Sequence, residues 1–238
     1  MSFEKPLSRR SFLSFSALTA ASALAGCAST SSAPGVQPVA FRVPRLFQTT
    51  PAPTDAELEV MYGPIEDGGF LIPAVPYQQI DPRFYRQQVI DPTGQAPGTI
   101  VVDTPSRFLY LVQPGGTAMR YGVGIGREGF AWSGNGVIQW KQKWPRWKPP
   151  NEMVARQPEL TKYSIANGGM EPGLKNPLGA RALYIFSNGE DTLYRLHGNP
   201  EWRSIGKAVS SGCVRLLNQD IIDLYDRVPQ KTPIVVWQ

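Results

Sequence analysis

The sequence carries one histidine, His197, and two cysteines, Cys27 and Cys213. A thiol with a pKa of ~8.5 is only a few per cent ionised at neutral pH, so a cysteine nucleophile needs an imidazole or another positive field beside it. His197-Gly198 stands sixteen residues before Cys213, which lies within Ser210-Ser211-Gly212-Cys213-Val214-Arg215. Both residues sit beside glycine. Glycine ahead of a nucleophile lets a substrate carbonyl approach the backbone, and the amides of Gly212 and Cys213 suit an oxyanion hole because they are rigid and already oriented. A lone cysteine is also an ordinary small core residue, and a lone histidine a satisfied polar one. Type and spacing leave both readings open. A structural or catalytic zinc needs three or four ligands, with histidine or cysteine prominent. His197, Cys27 and Cys213 do not cluster at such spacing. That argues against a zinc hydrolase, and no residue pattern calls for a cofactor.

Residues 1–27 read as a targeting segment. Ser8-Arg9-Arg10-Ser11-Phe12-Leu13 sets paired arginines ahead of an Ala/Leu/Ser-rich apolar stretch, similar to a twin-arginine export signal. Leu24-Ala25-Gly26-Cys27 resembles a bacterial lipoprotein box, in which the cysteine thiol takes the lipid. The apolar run is shorter than the ~20 residues a spanning helix needs. With lipid on Cys27, Cys213 has no disulfide partner in an oxidising compartment, where an odd thiol is either buried or used. Ala28-Ser29 follows the cysteine without an aspartate. By resemblance to Gram-negative sorting, this implies a periplasmic protein attached through lipid to the inner leaflet of the outer membrane. Loss of Glu4, Lys5, Arg9 and Arg10 with the leader lowers the net charge from +5 to +3. That excess suits an anionic wall polymer without selecting it. No basic run interleaved with aromatics points to nucleic acid.

The elements that must hold His197 and Cys213 follow from turn chemistry and patterning. Residues 28–55 are rich in Ser, Thr, Ala and Pro without apolar periodicity, a flexible tether. Residues 56–97 hold aromatic clusters and read as an extension packing on the main domain. Within them Asp81 and Pro82 are set to open a short helix. From Gly98 the chain turns β: Thr99–Asp103, Arg107–Gln113 and Thr117–Ile125 are separated by Thr104-Pro105-Ser106 and Pro114-Gly115-Gly116. Gly126 to Arg181, rich in Gly, Pro and Trp, reads as a long capping loop. Ala182–Phe186 and Thr192–Leu196 flank an Asn188-Gly189 hairpin that ends at His197. Asn218–Val228 is the one substantial helix, with Asn218 as cap and Ile221, Leu224, Tyr225 and Val228 on its apolar face. Pro233–Trp237 is a last strand. Gly122-Val123-Gly124-Ile125-Gly126 is no dinucleotide fingerprint, lacking both the spacing and a following helix.

His197-Gly198-Asn199-Pro200-Glu201, Ser204-Ile205-Gly206 and Ser210-Ser211-Gly212-Cys213-Val214-Arg215 together resemble the signature of the L,D-transpeptidases of the YkuD (ErfK/YbiS) family. Gly98-Thr99-Ile100-Val101-Val102, Pro145-Arg146-Trp147-Lys148-Pro149-Pro150 and Asn176–Tyr184 add to the resemblance, which covers about Gly98 to Val236. It implies a mostly β fold, a sandwich of mixed sheets with one helix after the cysteine and a long Gly/Pro/Trp-rich cap, over a catalytic domain at 98–238. It implies Cys213 as nucleophile, His197 as general base and Gly212 as a backbone oxyanion donor, with Arg215, Ser210, Ser211 and Trp147 at the substrate. The family's donor is the tetrapeptide stem of peptidoglycan. The thiolate attacks the carbonyl of residue three and expels D-alanine. A second stem amine, a lysine of an outer-membrane protein or lipoprotein, a D-amino acid or water then resolves the thioester. Hydrolysis at the same bond and a non-catalytic wall-binding lipoprotein are the rival outcomes. Many members carry histidine immediately before Gly-Cys, where this chain has Ser211.

Overall fold

The structure, a computed structural model, describes residues 50–126, 132–210 and 212–238. The targeting segment, Cys27, the tether up to residue 49 and Ser211 lie outside the described residues. Thr54 opens α1 (Asp55–Met61) through a capping box, its hydroxyl accepting from the Glu57 amide while the Glu57 carboxylate takes the Thr54 amide. β1 (Ile65–Asp67) and β2 (Phe70–Ile72) form a hairpin around Gly68-Gly69. Asp81 caps a single 3-10 turn at Pro82–Phe84, accepting from the Arg83 amide at 3.0 Å. β3 (Gln87–Ile90) follows.

β4 (Ile100–Asp103), β5 (Phe108–Gln113) and β6 (Thr117–Gly122) form the expected antiparallel meander. β7 (Ile125–Gly126) is a short continuation. The segment from Gly126 to Arg181 is not loop throughout, because β8 (Gly134–Lys143) is a ten-residue strand in the middle of the main sheet. A register shift between Ile138 and Trp140 interrupts its alternation, and Lys141 looks misplaced until its ammonium is seen to donate to the Tyr225 and Val228 carbonyls. The cap proper runs from Trp144 to Ala180 and holds α2 (Asn151–Arg156) and a 3-10 helix at Pro158–Tyr163.

β9 (Arg181–Ser187) and β10 (Glu190–Asn199) meet at Asn188-Gly189, both with positive φ, the two-residue turn that Asn-Gly favours. β11 (Ala208–Ser210), β12 (Val214–Leu217), α3 (Asn218–Arg227) and β13 (Pro233–Trp237) complete the chain. The fold is mostly β with mixed sheets. Nine strands run in the order β12-β10-β9-β8-β13-β4-β5-β6-β3, with parallel pairs at β12/β10 and β13/β4. Leu196, Val214, Leu216, Leu183 and Ile185 pack beneath Ile221 and Leu224 of α3 and its C-cap Val228. Asn218 does not cap this helix. Leu217 is the N-cap, and the Asn218 Oδ1 accepts instead from the Ala180 amide at 3.0 Å. One long-range lock ties the first hairpin to the cap and to β9. The Asp67 carboxylate takes both terminal nitrogens of buried Arg181 at 2.7 Å and the Trp144 indole N–H at 2.7 Å.

Candidate active site

Parallel pairing of β10 with β12 puts the histidine and the cysteine on one face of the sheet, two residues apart in register. Leu196 pairs with Val214, His197 with Arg215 and Gly198 with Leu216, so Cys213, one residue before β12, lies across from Arg195. Side chains alternate along a strand. Leu196 therefore enters the core while Arg195 and His197 share the opposite face. The Arg195 amide donates to the Cys213 sulfur, which fixes the thiol against β10.

His197 is 5% exposed. Its Nδ1 lies 2.6 Å from the Gly198 carbonyl oxygen, an acceptor only, so Nδ1 carries the proton and Nε2 keeps the lone pair. Burial pushes the imidazole down to about 4. The Arg215 and Arg195 charges push the same way, against the Gly198 and Pro177 carbonyls. The ring is therefore a neutral base at pH 7. Burial pushes the Cys213 thiol up, opposed by the Arg195 amide and by the charges of Arg195 and Arg215. At rest the pair is thiol and imidazole, not thiolate and imidazolium.

Two glycines make room for this arrangement. Gly212 has φ of +128°, a conformation that side chains rarely adopt. A Cβ on Gly198 would fall 2.3 Å from the Asn218 Oδ1, so the residue after His197 has to be glycine where α3 begins. Arg215 has its backbone clamped to Gly124 by hydrogen bonds of 2.8 and 2.9 Å. Its guanidinium is half-buried, its Nε has no partner, and it makes no ion pair with the described residues. Burial lowers its pKa, against the pull of Cys213 and Glu201. A half-buried cation with no carboxylate in ion-pair reach among the described residues is set up to take one from a ligand.

The other expected substrate residues are distributed unevenly. Ser210 ends β11, whose backbone pairs with Gly126. Trp147 is built into the cap, with backbone bonds to Met170 and its ring 6.4 Å from Tyr163. No described contact joins it to His197 or Cys213. Sequence reasoning missed Tyr194 and Arg195. Tyr194 sits close enough to Gly212 that a Cβ there would meet its Cε1 at 3.4 Å, and burial raises its phenol, with the Cys213 charge adding to the shift. The signal for Arg195 was its position two residues before His197, which puts both on one strand face.

A family model for the L,D-transpeptidase catalytic domain, YkuD, matches residues 97–236. The chain is 34% identical over 156 residues to the probable L,D-transpeptidase ErfK/SrfK of Escherichia coli K12, covering 63% of this chain and 47% of that one. It is 31% identical over 156 residues to the probable L,D-transpeptidase YbiS of the same strain, covering 62% and 47%. The chain thus spans about half the length of the relatives it matches. A solved Brucella melitensis structure, described as a probable carnitine operon oxidoreductase, is 45% identical and covers 65% of this chain and 94% of its own, with a TM-score of 0.46.

Proposed function

Since the chain belongs to the YkuD family of L,D-transpeptidase catalytic domains, we propose that it is a peptidoglycan L,D-transpeptidase with Cys213 as nucleophile and His197 as general base. The observation that carries this reading is the β10/β12 pairing, which puts a neutral, oriented imidazole and a thiol on one sheet face, two residues apart in register. The thiol proton passes to Nε2 of His197 as the sulfur bonds to the residue-three carbonyl of a tetrapeptide stem. The amides of Gly212 and Cys213 stabilise the oxyanion. The resulting imidazolium protonates the departing amine, the C–N bond breaks, and D-alanine leaves a thioester on Cys213. His197 then takes a proton from the acceptor amine as it attacks the thioester, restoring the thiol. Arg215 supplies the cation for a stem carboxylate, which its unpartnered Nε supports.

The test is purified protein with a tetrapeptide muropeptide, with and without an acceptor amine, followed by mass spectrometry. Loss of D-alanine together with acceptor-linked product, both abolished in Cys213→Ala, is expected. Free tripeptide as the sole product in the presence of acceptor identifies a hydrolase instead. An unchanged product pattern in Cys213→Ala overturns the catalytic assignment. We also place the protein in the periplasm, tethered by lipid on Cys27. Cys27→Ala is expected to move it from the membrane to the soluble periplasmic fraction.

A further inference from the structure

The ladders that build the site also line up a row of side chains across four strands. Trp140 of β8 pairs with Tyr184 of β9, Tyr184 pairs with Arg195 of β10, and Cys213 lies across from Arg195 at the start of β12. Residues at one register position point to the same sheet face. The Trp140 and Tyr184 rings stack 3.6 Å apart at 7°. The guanidinium carbon of Arg195 lies 4.5 Å from the centre of the Tyr184 ring. Its terminal nitrogens reach Asp191 at 2.7 and 2.8 Å, and one of them also donates to the Tyr194 carbonyl at 2.8 Å. Arg195 is thus a fixed charge, held on three sides. Asp191 pairs with Phe186 whereas Arg195 pairs with Tyr184, so the member of the ion pair nearer the sulfur is the positive one.

The groups facing the thiol from both flanking strands are few. Tyr194 and Arg195 of β10 and Arg215 of β12 interact with it, and His197 lies two residues further along the face that Arg195 shares. The phenol and the imidazole are neutral at pH 7, which leaves two cations. Arg215, on the reading above, is spent on a substrate carboxylate once the stem binds. Arg195 is already paired on its far side and is not available to the substrate in the same way. We infer that Arg195 is a positioning residue whose fixed charge favours the Cys213 thiolate through the bound state, where Ser211 replaces the imidazole that many relatives carry. The inference rests on Cys213 being the nucleophile and extends that assignment to the residue that tunes it.

The experiment reads the thiol directly and needs no transpeptidation. Full-length protein is alkylated with iodoacetamide from pH 6 to 10.5, and the rate is followed on the Cys213 peptide by mass spectrometry, which separates it from Cys27. Arg195→Gln keeps the backbone amide and removes the charge. Its reactivity midpoint is expected about one unit above the parent, with alkylation at pH 7 about tenfold slower. Arg195→Lys is expected to restore most of the shift. Asp191→Asn leaves the arginine and removes the opposing charge, so its midpoint is expected to fall. An unmoved midpoint in folded Arg195→Gln overturns the inference, as does an equal shift in Arg195→Gln and Arg195→Lys, which marks packing on Tyr184 instead. An upward shift in Asp191→Asn overturns it even where Arg195→Gln fails to fold. A shifted midpoint in a protein that makes no D-alanine from muropeptide sinks the transpeptidase reading and leaves this one standing. Normal transpeptidation with an unmoved midpoint does the reverse.

Discussion

Asp67→Ala tests how firmly the first hairpin is tied to the nine-stranded sheet. The substitution removes two 2.7 Å contacts to Arg181 and the 2.7 Å acceptor of the Trp144 indole. What remains is a guanidinium with 2% side-chain exposure, an unpartnered Nε, and the Ala180 carbonyl at 2.8 Å as its other hydrogen-bond acceptor among the described residues. Removing one partner of a buried ion pair costs about 3–5 kcal/mol. The Asp67 side chain keeps 22% exposure, so water enters the vacated place and the expected loss is at the low end, about 3 kcal/mol. That corresponds to a thermal midpoint lower by roughly 6–12 °C. Urea denaturation followed by circular dichroism measures the loss. Arg181→Met and the double variant complete a cycle, in which the double variant is expected to be about 2 kcal/mol more stable than the two single losses predict. A loss below about 1 kcal/mol, or additive losses, refutes the lock.

Other outcomes follow from single contacts. Asp220 is fully buried, both carboxylate oxygens lack a hydrogen-bond partner, and Arg86 is 3.7 Å away. Burial, against the Arg86 charge and with help from Asp223, raises the carboxyl to about 7. A raised acid contributes stability at low pH that is lost as pH climbs through about 7. Asp220→Asn is therefore expected to gain about 2 kcal/mol on the parent between pH 5 and pH 8, read from paired denaturation curves in which the opposite contribution of His197 cancels. Gly198→Ala drives a Cβ to 2.3 Å from the Asn218 Oδ1 and is expected to cost about 1–3 kcal/mol with loss of turnover. Wild-type activity in that variant contradicts the tight fit. Lys141→Met removes the donor to the Tyr225 and Val228 carbonyls at the end of α3, with an expected loss of about 1–2 kcal/mol by thermal denaturation.

Local chemistry made much of this fold legible. The meander, the Asn188-Gly189 hairpin, the Asp81 cap and the helix after the cysteine each announce themselves within a few residues. β8 did not, because its register shift at Ile138 and Trp140 breaks the alternation and its lysine serves a helix end 84 residues away. The proposed catalytic pair was legible because the chain has one histidine. Arg195 was marked only by its place two residues before His197, because the Asp191–Arg195 bulge, with Leu193 at φ of +63°, disturbs any register counted from the hairpin turn. Asn218 was read as a cap from its type, yet its amide oxygen goes to Ala180, a partner that only the packing of β9 supplies. Asp67 and Arg181 stand 114 residues apart, and nothing near either one names the other.

β13 is five residues long and lies between β8 and β4. On one side of it stand the four strands that carry the thiol and the imidazole, and on the other the meander with β3. The strand that joins these halves follows both of them in the chain. During translation the β8–β9 and β9–β10 pairs and the β4–β5–β6 sheet can each form early, but they remain separate pieces, each with an open edge beside the gap. The sheet becomes one body only when β13 pairs along both of its edges, so its assembly waits on a strand that follows in sequence all the others it joins.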